Sequence, residues 1–285
     1  MFVIEVPFFD LDKTFESSQM LRWKKLKDGM YVVIHENMAL KIEQQKNRLI
    51  MSCSADDFYD IWFDYFDIVY DYQRANRAIK KIDDFCHIVA VKQQGIRVIR
   101  QEVYEVLITQ LLVGDEEENL ARTLIQEMCE EIGTEHIQSM REAGKVRWYE
   151  FPSLMQIEEN INVVEQIFGK DKSRNLSEFI DVYFDEVIEE LRGATYKKAK
   201  RVLKNCGLFD KLMIERICAY ALGFKQAFVP DKIIKRAFAT QYDLTCREFV
   251  EWFDVVENIK VLAFLYVKSN EVEEEIKRGK SKWEL

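Results

Sequence analysis

The chain is poor in the residues that loosen a fold, with 10 glycines and 3 prolines in 285 residues. That scarcity excludes collagen-like, linker-rich and largely disordered chains. No apolar run approaches the roughly 20 residues that span a bilayer. The opening, Met1-Phe2-Val3-Ile4-Glu5-Val6, lacks the positive and apolar regions of a secretory signal. The six cysteines (Cys53, Cys86, Cys129, Cys206, Cys218 and Cys246) form no C-x-x-C pair and have no histidine at ligand spacing. A disulfide framework, a zinc site and an iron–sulfur cluster are therefore unsupported. P-loop, G-x-S-x-G, H-E-x-x-H and EF-hand patterns are missing, so nucleotide hydrolysis, serine hydrolysis and zinc proteolysis have no support. The expectation is a cytoplasmic protein with reduced thiols, no metal, no cofactor and no membrane contact.

What is present is core material and unevenly placed charge. Hydrophobic residues make up 48% and aromatics 13%, enough for one large domain or two modest ones. A net charge of −9 argues against a generally adhesive polyanion binder. Between Lys197 and Arg236, however, eleven basic residues face three acidic ones, a surplus of +8, so the remainder of the chain carries −17. A basic helical segment in an acidic chain is the local footprint of a polyanion site, although a solvated helix face has the same composition.

Two textures divide the chain. Residues 30–53 alternate apolar and polar with turn signals at Glu36-Asn37 and Gln45-Asn47, which predicts a three-stranded antiparallel meander. Beyond residue 56 the period lengthens to that of amphipathic helices, over 56–66, 72–86, 101–112, 118–131, 153–168, 173–191, 195–205, 210–222, 231–239 and 246–268. The fold class is α+β, with an antiparallel β domain and flanking helices over 1–85 and a helical body over 86–285. Trp62, Phe63 and Phe66 share a helical face and read as core. His35, His87 and His136 are scattered, and Asp83-Asp84 read as solvated charge before a helix end.

Within the basic segment the order is helix, short glycine-containing turn, helix, loop, aspartate. Thr195 is placed to cap the first helix and Asp210 the second, with Cys206-Gly207-Leu208-Phe209 between them. Such a pair presents turn amides and a helix N-terminus to a phosphate. Asp231, after Pro230, starts the next helix and on spacing alone reads as its N-cap.

These residues resemble the helix-hairpin-helix DNA glycosylases, and within them the 8-oxoguanine DNA glycosylases. Ser18-Gln19-Met20-Leu21-Arg22-Trp23 resembles G-Q-S-F-R-W, and Gln94 to Glu102 (QGIRVIRQE) resembles Q-G-[VI]-R-[LI]-L-R-Q-D. Asn119-Leu120-Ala121-Arg122 and Phe151-Pro152-Ser153-Leu154 follow in order. Ile217-Cys218, Ala221-Leu222, Gln226-Ala227 and Asp231 then match I-C-x-x-A-L-x₃-Q-A-x₃-D. The resemblance runs from about residue 8 to 267, with a hairpin-like segment at 195–222. It implies base flipping from double-stranded DNA, an excised damaged or modified base, and Asp231 as the carboxylate that stabilises an oxocarbenium-like sugar and positions water.

The departures are as informative. The hairpin L-P-G-[VI]-G-T-K becomes Asn205-Cys206-Gly207-Leu208-Phe209-Asp210-Lys211, keeping one glycine. Aligned without gaps, the catalytic lysine falls at Leu212, and Lys211 takes that role only through an insertion; its other role is to face a phosphate. Aspartate without the lysine is the pattern of a monofunctional enzyme that leaves an abasic site uncut. The base-sensing glycine falls at Ser18, and Arg216 replaces a small pocket cysteine. Those two changes point to a bulky, polar modified base, of the kind some phage genomes carry, and leave repair and defence against foreign DNA both open. Phe168 to Asn175 replaces G-x-G-Y-R-A-R-Y and lacks its inserted aromatic. Arg122, Arg174, Lys204, Gly207, Lys211, Lys232 and Lys235 are the expected DNA contacts, and a monomer is the expected form. The alternative is a glycosylase fold that binds modified DNA without cutting it.

Overall fold

An antiparallel five-stranded sheet opens the chain, in the spatial order β1-β5-β4-β3-β2. Its strands are β1 (Phe2–Glu5), β2 (Trp23–Lys27), β3 (Met30–His35), β4 (Met38–Gln45) and β5 (Arg48–Met51). The computed structural model describes residues 1–114, 116–141, 143–227, 229–242 and 258–278. Strands β3 to β5 are the meander read from alternation, turned by Glu36, Asn37 and Lys46 at positive φ. The register sets Tyr31 opposite Ile42 and Val33 opposite Leu40, so apolar side chains share one face. Phe15, Phe58, Trp62 and Phe66 cover that face.

The two outer strands add to the predicted meander. β1 pairs with β5 across almost fifty residues, so no turn announces it. β2, WKKLK, is an edge strand whose lysines obscure the apolar alternation and blunt the edge against further pairing. A second hairpin, β6 (Glu135–Met140) and β7 (Gly144–Tyr149), lies where the sequence gives no element. Its Met140 and Trp148 pack on Val32 and Ala39 of the first sheet.

Helices fill the rest. They are α1 (Leu11–Phe15), α2 (55–65), α3 (Tyr72–Ile79), α4 (Asp84–Lys92), α5 (Val103–Val113), α6 (Glu118–Ile132), α7 (Leu154–Glu159) and α8 (Ile161–Phe168). There follow α9 (170–191), α10 (Tyr196–Asn205), α11 (211–221), α12 (Lys232–Tyr242) and α13 (Lys260–Lys277). Helices α2, α9 and α11 each contain a π-helical turn. Two predicted helices are divided. The run 72–86 breaks because Asp83 accepts the Cys86 amide proton at 2.7 Å and caps a new helix, so Asp83-Asp84 open a helix rather than close one. The run 153–168 breaks at Asn160. Of the helix read over 246–268, residues 246–257 lie outside the described residues, and its described part continues to Lys277. No described helix is long and apolar enough to cross a membrane.

Two cores result. One lies under the sheet, and the other joins the helices from Tyr72 to Val267. Tyr72, Ala75 and Ile79 belong to the helical core, and Ile99 belongs to the sheet core.

The segment 94–101 runs between the cores and is clamped to the start of α1. The Asp10 amide donates to the Gly95 carbonyl at 2.9 Å. Gly95 has φ +103°, and an added Cβ would lie 2.6 Å from Asp10 Cβ and 2.9 Å from Asp10 N. Gly95→Ala is therefore expected to lose about 3 kcal/mol of unfolding free energy in urea titration. An unchanged midpoint would contradict this close approach.

Candidate active site

The hairpin-like segment forms as its caps dictate. The Thr195 hydroxyl accepts the Lys198 amide proton at 3.3 Å, and an Asp210 carboxylate oxygen accepts that of Met213 at 2.8 Å. Between α10 and α11 the chain turns at Gly207, exposed and at φ +70°. Apart from the half-buried Arg216, the basic residues of this segment divide into two groups. Lys198 pairs with Glu190, Lys200 with the buried Glu215, Lys225 with Asp67 and Arg236 with Glu275, so these four are neutralised by the fold. Lys197, Arg201, Lys204, Lys211, Lys232 and Lys235 are exposed.

Asp231 caps α12 and is buried, with 9% of its side chain exposed. One carboxylate oxygen, Oδ1, accepts the Ile234 amide proton at 3.0 Å, and the other, Oδ2, lies 2.8 Å from Lys268 Nζ. Burial by itself raises the proton affinity of the carboxyl. The Lys268 ammonium, the Ile234 amide and the Arg216 guanidinium together outweigh it and hold the group below the usual carboxylate range. Asp231 is thus both the helix cap read from spacing and a stable buried anion.

The anion faces a cavity of about 110 Å³ whose walls include Ser18, Gln101, Thr109, Gln110, Arg216, Tyr220 and Lys268. Beside it is a second space of about 180 Å³, lined also by Glu117, Asn119 and Lys232, with Ser18, Glu116, Glu118, Arg216, Asp231 and Lys268 common to both. Ser18 and Arg216, from distant parts of the sequence, thus share a cavity with Asp231. Arg216 reaches across to donate to the Gly114 carbonyl. The Gln110 side-chain oxygen is buried on the wall without a hydrogen-bond partner. Among the described residues no cluster of three or more acidic, histidine or cysteine side chains could hold a metal.

Ser18 is held by its neighbour. The Gln19 amide donates to the Arg97 carbonyl at 2.7 Å and its oxygen accepts the Ile99 amide proton at 2.7 Å, while Gln101 Nε2 donates to the Gln19 carbonyl. The two sequence motifs at 18–23 and 94–102 are therefore one hydrogen-bonded unit. Arg22 completes it, buried against Glu105 at 2.9 Å and donating to the Tyr149 carbonyl.

The remaining predicted residues are placed elsewhere. Lys211 is exposed at the start of α11 and lines neither space containing Asp231, so the geometry does not support it as the amine nucleophile. Leu212, at the position that aligns with the lysine, is half-buried. Arg122 is half-buried on α6. Its guanidinium lies 3.9 Å from the centre of the Trp23 ring and donates to the Trp23 carbonyl at 2.8 Å, which ties β2 to α6. Arg174 is exposed and paired only loosely with Asp171 at 3.2 Å. Lys268 was not found from sequence, because it lies in no motif.

Ser18 has φ +60°, a left-handed conformation that favours glycine. The backbone at this position has the shape glycine would give it, yet it carries a hydroxymethyl group into the cavity wall. Ser18→Gly is expected to raise stability by about 1 kcal/mol in urea titration. A loss of stability would show that the serine is not strained.

Residues 1–107 match the family of the 8-oxoguanine DNA glycosylase N-terminal domain. No curated protein matches the chain. Among solved structures, MBOgg1 in complex with a low-affinity DNA ligand is 21% identical, with TM-score 0.85 over 98% of this chain and 96% of that one. Clostridium acetobutylicum 8-oxoguanine glycosylase/lyase, bound to double-stranded DNA with cytosine opposite 8-oxoG, is 17% identical, with TM-score 0.83 over 96% and 99%. The 3-methyladenine DNA-glycosylase of Archaeoglobus fulgidus is 14% identical, with TM-score 0.74 over 95% and 98%. The chain thus resembles the 8-oxoguanine DNA glycosylases in its N-terminal domain and has the helix-hairpin-helix DNA glycosylase fold along its length.

Proposed function

We propose that the chain is a DNA glycosylase that receives a flipped, damaged or modified base and releases it by hydrolysis, leaving an abasic site. The observation that carries this reading is the buried Asp231 carboxylate, 2.8 Å from the Lys268 ammonium, in a cavity shared with Ser18 and Arg216. A glycosidic bond inside a stacked duplex is out of reach, so an enzyme that cuts it takes the nucleotide into such a cavity. As the C1′–N bond breaks, its electron pair leaves with the base and positive charge grows on the sugar. A fixed carboxylate stabilises that charge without having to reorient. Water oriented beside Asp231 forms the new C1′–O bond and gives up one proton to solvent, and the departing base takes up one proton from solvent, so a single water is consumed and Asp231 ends as the anion it began.

Hydrolysis rather than strand cleavage is favoured by the placement of Leu212 and the distance of Lys211 from the cavity lining. The polar wall supports a bulky polar base. Arg216, Gln101 and Thr109 offer hydrogen-bonding groups, and the unpartnered Gln110 oxygen accepts a donor from the ligand. Exposed Lys197, Arg201, Lys204, Lys211, Lys232, Lys235 and Arg174 provide the phosphate contacts, to duplex DNA and by a monomer. An acidic surface elsewhere keeps undamaged DNA weakly bound.

The test uses duplexes carrying a panel of damaged and modified bases, with alkali to reveal abasic sites. Wild-type protein is expected to produce alkali-labile sites on at least one duplex, and Asp231→Asn to slow single-turnover release by about 10²–10³-fold or more while still binding it. Release unchanged in Asp231→Asn would remove the carboxylate from the mechanism. Binding of modified DNA by wild type with no release of any base would instead establish a reader of modified DNA, a reading favoured by the single glycine left in the hairpin.

A further inference from the structure

One charged side chain in the cavity belongs to no sequence motif. Lys268 follows seven consecutive buried residues, Val261 to Val267, on α13. Its side chain is 16% exposed and it borders both parts of the cavity. A nearly buried ammonium is costly unless it is paired, and an apolar residue would extend the buried face without that cost. Its observed partner is Asp231, at 2.8 Å.

We infer that Lys268 is a positioning residue for base excision, holding Asp231 as an oriented anion by clamping Oδ2 while the Ile234 amide clamps Oδ1. The inference rests on the glycosylase reading and adds to it a residue from the C-terminal helix. Among the described residues around the same cavity the other charged or titratable groups are Arg216 and Tyr220 of α11, Glu105 of α5, Glu116, Glu117 and Glu118 near the start of α6, and Lys232 on the helix of Asp231 itself. The acidic members of this set favour protonation of Asp231, and Lys268 is the nearest group opposing them. The same contact argues against Lys268 as a nucleophile. An ammonium has no lone pair to attack C1′, and its proton would have to pass to the carboxylate whose proton affinity it lowers.

The experiment measures single-turnover base release against pH for wild type, Lys268→Met, Lys268→Gln and Lys268→Arg. In the Met and Gln variants the midpoint of the acid limb is expected to rise by about one to three pH units, with DNA affinity little changed, and in the Arg variant to return toward wild type. Superimposable acid limbs would overturn the inference. So would a borohydride-trapped DNA adduct in wild type that Lys268→Met abolishes, since that makes the lysine a nucleophile.

If wild type releases no base, the excision reading fails on its own, and the pairing is then read from stability. A carboxyl held low in the folded state contributes stability that is present above its unfolded pKa, about 3.9, and lost as pH falls through its folded pKa. The gap in urea midpoint between wild type and Lys268→Met or Lys268→Gln should therefore narrow as pH drops from about 6 toward 3. A gap independent of pH overturns the inference without reference to DNA.

Discussion

A carboxylate with most of its surface removed from water remains an anion only if the surrounding structure compensates its lost solvation. Asp231 is 7% exposed as a residue, and the architecture around it supplies that compensation from three helices. Its own helix, α12, contributes the Ile234 amide, α13 contributes Lys268, and α11 contributes Arg216. α12 and α13 pack together through an apolar interface, so the ion pair is held at a fixed separation by the core beneath it. Charge stabilisation in the cavity is thus a property of the helical packing, prepared before any substrate arrives.

The opposite wall is prepared by the N-terminal part of the chain. Gln19 joins the residues after α1 to the segment between the two cores, and that junction holds Ser18 at positive φ over the cavity. Arg97 secures the same segment by stacking on Tyr72 at 4.5 Å and Phe9 at 5.0 Å while donating to the carbonyls of Asp67 and Pro7. These polar contacts are buried, so loss of one partner leaves an unsatisfied group and loosens the wall facing Asp231. The β domain therefore helps set the shape of the cavity that Asp231 faces.

The fold was largely legible where its cause was local. Period-2 alternation marked β3 to β5, caps marked α10 and α11 at Thr195 and Asp210, and spacing placed Asp231 at a helix start. The resemblance at 18–23 and 94–102 then placed Ser18 beside a cavity that periodicity alone does not reveal. Elements whose causes are tertiary were not legible. β1 pairs with β5 across the whole domain, and β6–β7 is held by Met140 and Trp148 on a distant sheet. Charge counting also misplaced four of the basic residues, because Lys198, Lys200, Lys225 and Arg236 are spent on ion pairs within the fold. Lys268 is the clearest case. It lies 37 residues beyond Asp231, in an apolar helix that reads as core, and only the packing of α13 on α12 brings it to the carboxylate.

The proposed chemistry depends on the surroundings of Asp231 holding its carboxyl as an anion despite burial. That charge state is measured most directly by titrating the Asp231 side-chain carboxyl carbon by NMR, with Asp231→Asn identifying the signal. The account predicts a midpoint below the ordinary aspartate value of about 3.9. A midpoint above that value would mean that burial outweighs Lys268, the Ile234 amide and Arg216, and would contradict the compensation described above.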